Sequence, residues 1–255
     1  MGYPAAVSII VLAALAAALA AILVQRVVGV EARRKHHEVG STVFLQLGVV
    51  FAVLLAFVFS EAWGEYNQAA ASINLEVGAM HGVSMIAATL PPAQADAILT
   101  KERAYLESVV DREWPIMAAR RTEDASTDLK LQALIQEVAN LKVTDDQSDK
   151  KVTMMSLLDE AHAQRETRIF QAGSGIPVAL WWVLIAFTIM FTLFVSLSEI
   201  PYRTTAAAIS ACFAAGITSI LVVARLLDYP FEGALGLSNK DFVEVIGKIS
   251  RLLVH

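Results

Sequence analysis

The sequence predicts an all-α integral membrane protein: four transmembrane helices, with a helical domain inserted between the second and the third. Three observations carry this reading. The 255 residues are 56% hydrophobic, yet 18% are charged, so the charges must be segregated from the apolar runs. Four runs without Asp, Glu, Lys or Arg are long enough to cross about 30 Å of hydrocarbon, which takes roughly 20 helical residues. The polar stretch between the second and third runs has helical periodicity and no convincing strand.

The first run, Val7–Val24, is Ala-rich, lacks a preceding charged segment and a clean cleavage site, and reads as a retained span. The second, Thr42–Phe59, leads into "SEAWGEYNQAAASINLEVGAMHGVS" with no Pro or turn cluster between. One helix of about 50 residues, roughly 75 Å at 1.5 Å per residue, therefore leaves the bilayer and continues. Past the membrane, Trp63, Tyr66, Ala70, Ile73, Val77, Met80, Ser84 and Ala87 recur at steps of three and four, a heptad seam. It serves packing within the chain or contact with a second copy, which small residues at Ala69–Ala71 and Gly78 would permit.

"TLPPAQAD" ends this helix before Pro91 and Pro92. A helix is expected over Asp96–Trp114, interrupted at "EWPIM". Another follows over Thr127–Val143, capped by Ser126 or Thr127, and a third from about Asp145 to Phe170, capped from "TDDQSD". "GSGIP" punctuates the chain before the third span, Val178–Ser198, and the fourth is Thr204–Ala224. Trp181 and Trp182 suit an interfacial aromatic belt. Ser238–His255 is an amphipathic helix for the membrane surface or for the inserted domain. The chain thus divides into residues 1–60 (spans one and two), 61–175 (helical domain), 176–226 (spans three and four) and 227–255 (C-terminal amphipathic segment).

The first loop carries Arg26, Arg33, Arg34 and Lys35 against Glu31 and Glu38, and the middle region is acidic on balance. By the positive-inside rule the short loops are cytoplasmic. In a bacterial inner membrane the helical domain then faces the periplasm. Cys212, the single cysteine, sits in the fourth span and reads as a small packing residue.

Four blocks carry a resemblance to a known family: "LLAFVFSEAWGEYNQAAASINLEVGAM", "AYLESVVDREWPIM", "RETRIFQAGSGIPVALWWVL" and "LLDYPFEGALGLSNKDF". In order and spacing they resemble uncharacterised bacterial bestrophin-like membrane proteins, from about Thr42 onward. More remotely the layout is similar to bestrophins proper, which are pentameric anion channels whose second span lines the pore with an apolar neck. That likeness implies a homo-oligomeric ion channel or pore, with Gln46, Val49, Val53 and Phe57 as pore-lining candidates. Glu61 and Glu65 would stand at the pore mouth. With Asn67 and no basic residue beside them, they favour cations over anions.

Each reading has a plainer counterpart. Val and Phe in a span serve packing or lipid contact equally well, and Glu61 and Glu65 beyond it would simply face water. "REWP" and "LDYPF" are corners in which Trp114 and Phe231 wedge helix ends, or else a ligand site. Arg225 and Asp228 form a structural ion pair. His36 and His37 are adjacent and diverge. His162 shares a face with Asp159, Arg165 and Glu166, which reads as solvated ion pairs, and His81 is a buried hydrogen-bonding residue. No catalytic constellation or phosphate loop is present, so no enzyme, cofactor or metal is expected, and no basic aromatic face suggests nucleic acid. The competing class is a non-conducting scaffold, accessory subunit or sensor whose helical domain binds a protein partner. The small-residue signature of proton-driven stators is absent from the third span.

Overall fold

The structure, a computed structural model, describes residues 1–29, 31, 37–142, 144 and 147–253. The expected basic residues Arg33, Arg34 and Lys35, His36, and the helix-end positions Val143, Asp145 and His255 lie outside them. Among the described residues the structure is all-helical, with four helices long and apolar enough to cross a membrane. In chain order the helices are α1 Tyr3–Val27, α2 His37–Ala87, α3 Pro92–Ser108, a π-turn Val109–Glu113, α4 Trp114–Arg120 and α5 Ala125–Ala139. Then come α6 Ser148–Gly173, α7 Val178–Ser196, α8 Arg203–Leu227 and α9 Lys240–Leu252. Two compact units result, residues 1–64 with 175–228 and residues 65–174 with 229–255.

The first unit holds the four spans. Helix α8 presents Ala206, Ser210, Ala214 and Thr218 at steps of four, all buried, and α1 answers with buried Ala6, Ala17 and Ala21. Small side chains let two helix backbones approach closely where no water drives them together. Helix α2 docks differently, through aromatic rings. Phe44 meets Phe191 and Phe194 at 5.0 and 4.7 Å between centroids, and Phe51 meets Phe187 and Phe191 at 5.7 and 5.4 Å. One buried carboxylate ties the ends of α7 and α8. Asp228 accepts the Ile176 N–H at 2.7 Å and pairs with Arg225 at 3.3 Å. Cys212 is exposed on the surface of the chain. It does not pack against another of the chain's own helices as expected.

The second unit has one core, shared by Ile73, Met80 and Val83 of α2, Ile98, Leu99 and Leu106 of α3, Leu131 and Leu134 of α5, and Met154 and Leu158 of α6. Helix α9 completes it with Phe242, Val245 and Ile249. Of the two places open to the amphipathic C-terminal helix, it therefore takes the helical unit. Trp114 joins Phe231 and Phe242 edge-on at 5.3 and 5.7 Å, so both proline corners feed this core.

Two sequence expectations are corrected. "EWPIM" does not break the helix. The Trp114 N–H bonds back to the Val109 carbonyl, a π-type turn. Pro115 has no N–H to give, and a widened turn admits its ring without ending the helix. Helix α5 is capped by Asp124, which accepts the Thr127 N–H at 3.2 Å, not by Ser126 or Thr127. Helix α6 starts at Ser148; Gln147 of the "TDDQSD" stretch stands at its N-cap without a side-chain cap bond among the described residues, and Asp145 and Asp146 lie outside them. Arg121 ends α4 in the left-handed region at φ 59°, unusual for a residue with a side chain. Its guanidinium lies 3.3 Å over the Tyr229 ring and bonds both Glu232 oxygens, which fixes the start of the C-terminal segment.

Candidate functional site

Helix α2 carries the residues expected to line a path. Gln46 is exposed on the chain, and Val49, Val53 and Phe57 keep 60%, 66% and 59% of their surface. Glu61, one turn further, is also exposed. Glu65 is half-buried and accepts the Ser174 hydroxyl at 3.1 Å. A run from Gln46 through Phe57 to Glu61 is thus left uncovered among the described residues. A Cβ on Gly48, Gly64 or Gly78 would meet nothing within 4 Å.

Beyond the membrane run, the buried stripe of α2 is Ala62, Ala69, Ile73, Glu76, Met80, Val83 and Ala87. Of the expected seam, Ile73, Met80, Ser84 and Ala87 are buried and Tyr66, Ala70 and Val77 are half-buried. Trp63 is exposed, and Ala62 holds the buried position beside it.

Glu76 is the centre of a charge cluster inside the second unit. Arg168 of α6 grips both its oxygens, Nε at 2.7 Å and Nη2 at 3.0 Å, and the Tyr105 hydroxyl donates to it at 2.6 Å. Arg168 Nη2 also reaches Glu113 at 2.9 Å, and Arg165 reaches the other Glu113 oxygen at 2.6 Å. Glu76, Glu113, Arg165, Arg168 and Tyr105 are all fully buried. Two carboxylates and two guanidiniums balance, and Asp128 adds a partly exposed edge, 3.0 Å from Arg165. Burial opposes the charge on Arg168, but the Glu76 and Glu113 carboxylates outweigh it and hold its pKa above the ordinary guanidinium value. Burial and then the Glu76 charge push the Tyr105 phenol up as well.

This cluster is what reasoning from the sequence missed. Arg165, expected among solvated pairs with Asp159, His162 and Glu166, is fully buried, whereas Asp159 and His162 face outward. The signal lay in the spacing. Leu158, Ala161, Arg165, Arg168 and Ala172 fall on one helical stripe, so both arginines were on the core face. His81 is half-buried, within 3.5 Å of the Ser84 hydroxyl. No three His, Cys, Asp or Glu side chains among the described residues converge as a metal site.

The chain is therefore a multi-pass membrane protein whose second span runs on as part of a helical, charge-cored unit. The bestrophin-like domain matches residues 11–242, and the chain belongs to that family. No curated protein matches it. Solved structures share the fold. A bacterial bestrophin homologue from Klebsiella pneumoniae with one aspartate changed to alanine superposes with a TM-score of 0.77 at 17% identity, over 96% of this chain and 99% of that one. A tyrosine-to-alanine variant of the same homologue gives 0.75 at 15% identity, over 96% and 99%. A membrane protein with one proline changed to alanine gives 0.72 at 18%, over 97% and 98%.

Proposed function

We propose that the chain assembles with copies of itself into an ion channel of the bestrophin-like kind, with α2 lining the path. The observation that carries the reading is the uncovered track on α2, Gln46, Val49, Val53 and Phe57, which a ring of copies would turn toward an axis. Family membership supports it. Rings of Val and Phe gate by dewetting, and a mouth of Glu61 side chains favours cations. The open glycines on α2 leave room for a neighbouring helix. The charge of the loops supports a helical unit on the periplasmic side of a bacterial inner membrane.

Two measurements test this. The detergent-corrected mass of the solubilised protein should be a multiple of 27.5 kDa, near five copies by the likeness to bestrophins. In vesicles, V53A and F57A should change ion flux severalfold, and E61Q should lower preference for cations. Unchanged flux in both neck variants at unchanged mass would remove α2 from the path. A monomer would leave the non-conducting scaffold as the better reading.

A further inference from the structure

The membrane unit has a groove on the faces of α1, α7 and α8. One part, about 260 Å³, is lined by Met1, Ile9, Trp181, Ile185, Leu221 and Arg225. A second, about 250 Å³, is lined by Ala13, Ala16, Ala20 and Leu193. Thr188, Ile189 and Thr218 belong to both, so the two are one continuous groove.

Its polarity runs one way. Arg225 and Trp181 stand at one end, and from there inward the lining is almost wholly apolar. The Thr188 and Thr192 hydroxyls donate to the Leu184 and Thr188 carbonyls at 2.8 and 2.7 Å, so they make no demand on an occupant. The Arg225 side chain keeps 43% of its surface in its ion pair with Asp228. The first turn of α7 lies at the same end, since the Ile176 N–H is bonded to Asp228, and a helix N-terminus also favours an anion. From Trp181 to Leu193 the helix rises about 18 Å at 1.5 Å per residue, close to half of a roughly 30 Å hydrocarbon core.

We propose that this groove binds one anionic phospholipid, an acyl chain lying along α1, α7 and α8 and the phosphate at Arg225. A molecule charged at one end and apolar for one leaflet's depth is the complement of what lines the groove. A neighbouring helix would need no cation at one end only. The apolar groove at Ala52, Leu55, Ala56, Phe59, Ser219, Ile220 and Val223 has no charged residue in its lining and shows no such preference. The proposal is independent of whether the chain conducts.

The test uses the full-length protein in phosphatidylcholine vesicles. These are doped with either phosphatidylglycerol or phosphatidylcholine carrying dibrominated acyl chains, which quench tryptophan. The quenching lost in W181F is the groove signal. Half-quenching of that signal should need about fivefold less brominated phosphatidylglycerol than phosphatidylcholine, the effect of one cation near the headgroups. R225Q should bring the ratio to about one and R225K should retain most of it. A13F, which fills the groove from α1, should weaken quenching by both lipids. Equal quenching by the two lipids in the wild type, or a preference that survives R225Q, overturns the headgroup assignment. A Trp181 signal unchanged by A13F, or absent altogether, means that no acyl chain lies in the groove and that another chain covers it.

Discussion

Glu102 offers a test of the helical unit that depends on pH. It is fully buried on α3, between Ile98 and Tyr105 on the core face, and neither carboxyl oxygen has a hydrogen-bond partner among the described residues. Burial alone pushes its pKa well above the ordinary 4.5, with no charged group contributing. The folded chain therefore keeps the proton at pH values where the unfolded chain has lost it. Below 4.5 both states are protonated and Glu102 gives no pH dependence. From there upward the unfolded state binds fewer protons, so stability falls as pH rises, by about 1.4 kcal/mol per pH unit, until the folded pKa is reached. Glu102→Met should remove that slope. It also removes an unpaired buried polar group, worth about 1–3 kcal/mol. At roughly 2–4 °C per kcal/mol for a domain of this size, E102M should melt at least several degrees higher at neutral pH. E102Q should lose the slope but gain less, because its amide is unpaired too. Thermal unfolding of the three proteins in one detergent, from pH 4.5 to pH 8, is the assay. If E102M melts lower than wild type at neutral pH, or the gap between them does not widen with pH, the buried-acid argument is wrong.

Two further outcomes are expected. R168M should destabilise the helical unit by about 3–5 kcal/mol, because Glu76 and Glu113 lose a buried partner. E76Q/R168M should recover part of that, and a double-mutant cycle on thermal unfolding measures the coupling. A cysteine at exposed Ser148, in a C212S background, should react with an impermeant maleimide on intact cells. Reaction only after lysis would place the helical unit in the cytoplasm.

The four spans were legible because apolar length is a local property: a run of about 20 residues announces itself without its neighbours. The continuity of α2 past the membrane was legible for the same reason, as no breaker falls between Leu54 and Ser84. What stayed hidden is what depends on meeting. Glu76, Glu113 and the Arg165–Arg168 pair are far apart in the chain, and a charge on a helix is ordinarily solvated. Only its place on an apolar stripe distinguishes it. Glu76 falls three after Ile73 and four before Met80, so it had to be either paired or an error in the seam. The π-turn at Val109–Glu113 was hidden differently: Pro115 forbids a regular turn but does not say whether the chain breaks or widens. The track from Gln46 to Phe57 was readable as a pattern, but the path proposed for it needs other copies of the chain.

The charge cluster explains why α2 has one height in the helical unit. A seam of Ala69, Ile73, Met80, Val83 and Ala87 is apolar enough to accept a shift of one turn or one heptad with modest loss. Glu76 is not interchangeable with its neighbours. Slide α2 by four residues and Arg168 faces Ser72 or Met80; slide it by seven and it faces Ala69 or Val83. In each case a fully buried guanidinium and the Glu76 carboxylate lose each other, at a cost of several kcal/mol. Tyr105 adds a second constraint from α3 on the same carboxylate. One heptad's ambiguity is thus removed by ion pairs that contribute little net stability of their own, the use for which buried polar groups are best attested. R168M and E76Q/R168M separate the two effects. If charges serve only stability, the double variant regains a single, sharply unfolding state. If they serve register, it regains stability but unfolds less cooperatively and loses protection of the α2 amides from hydrogen exchange.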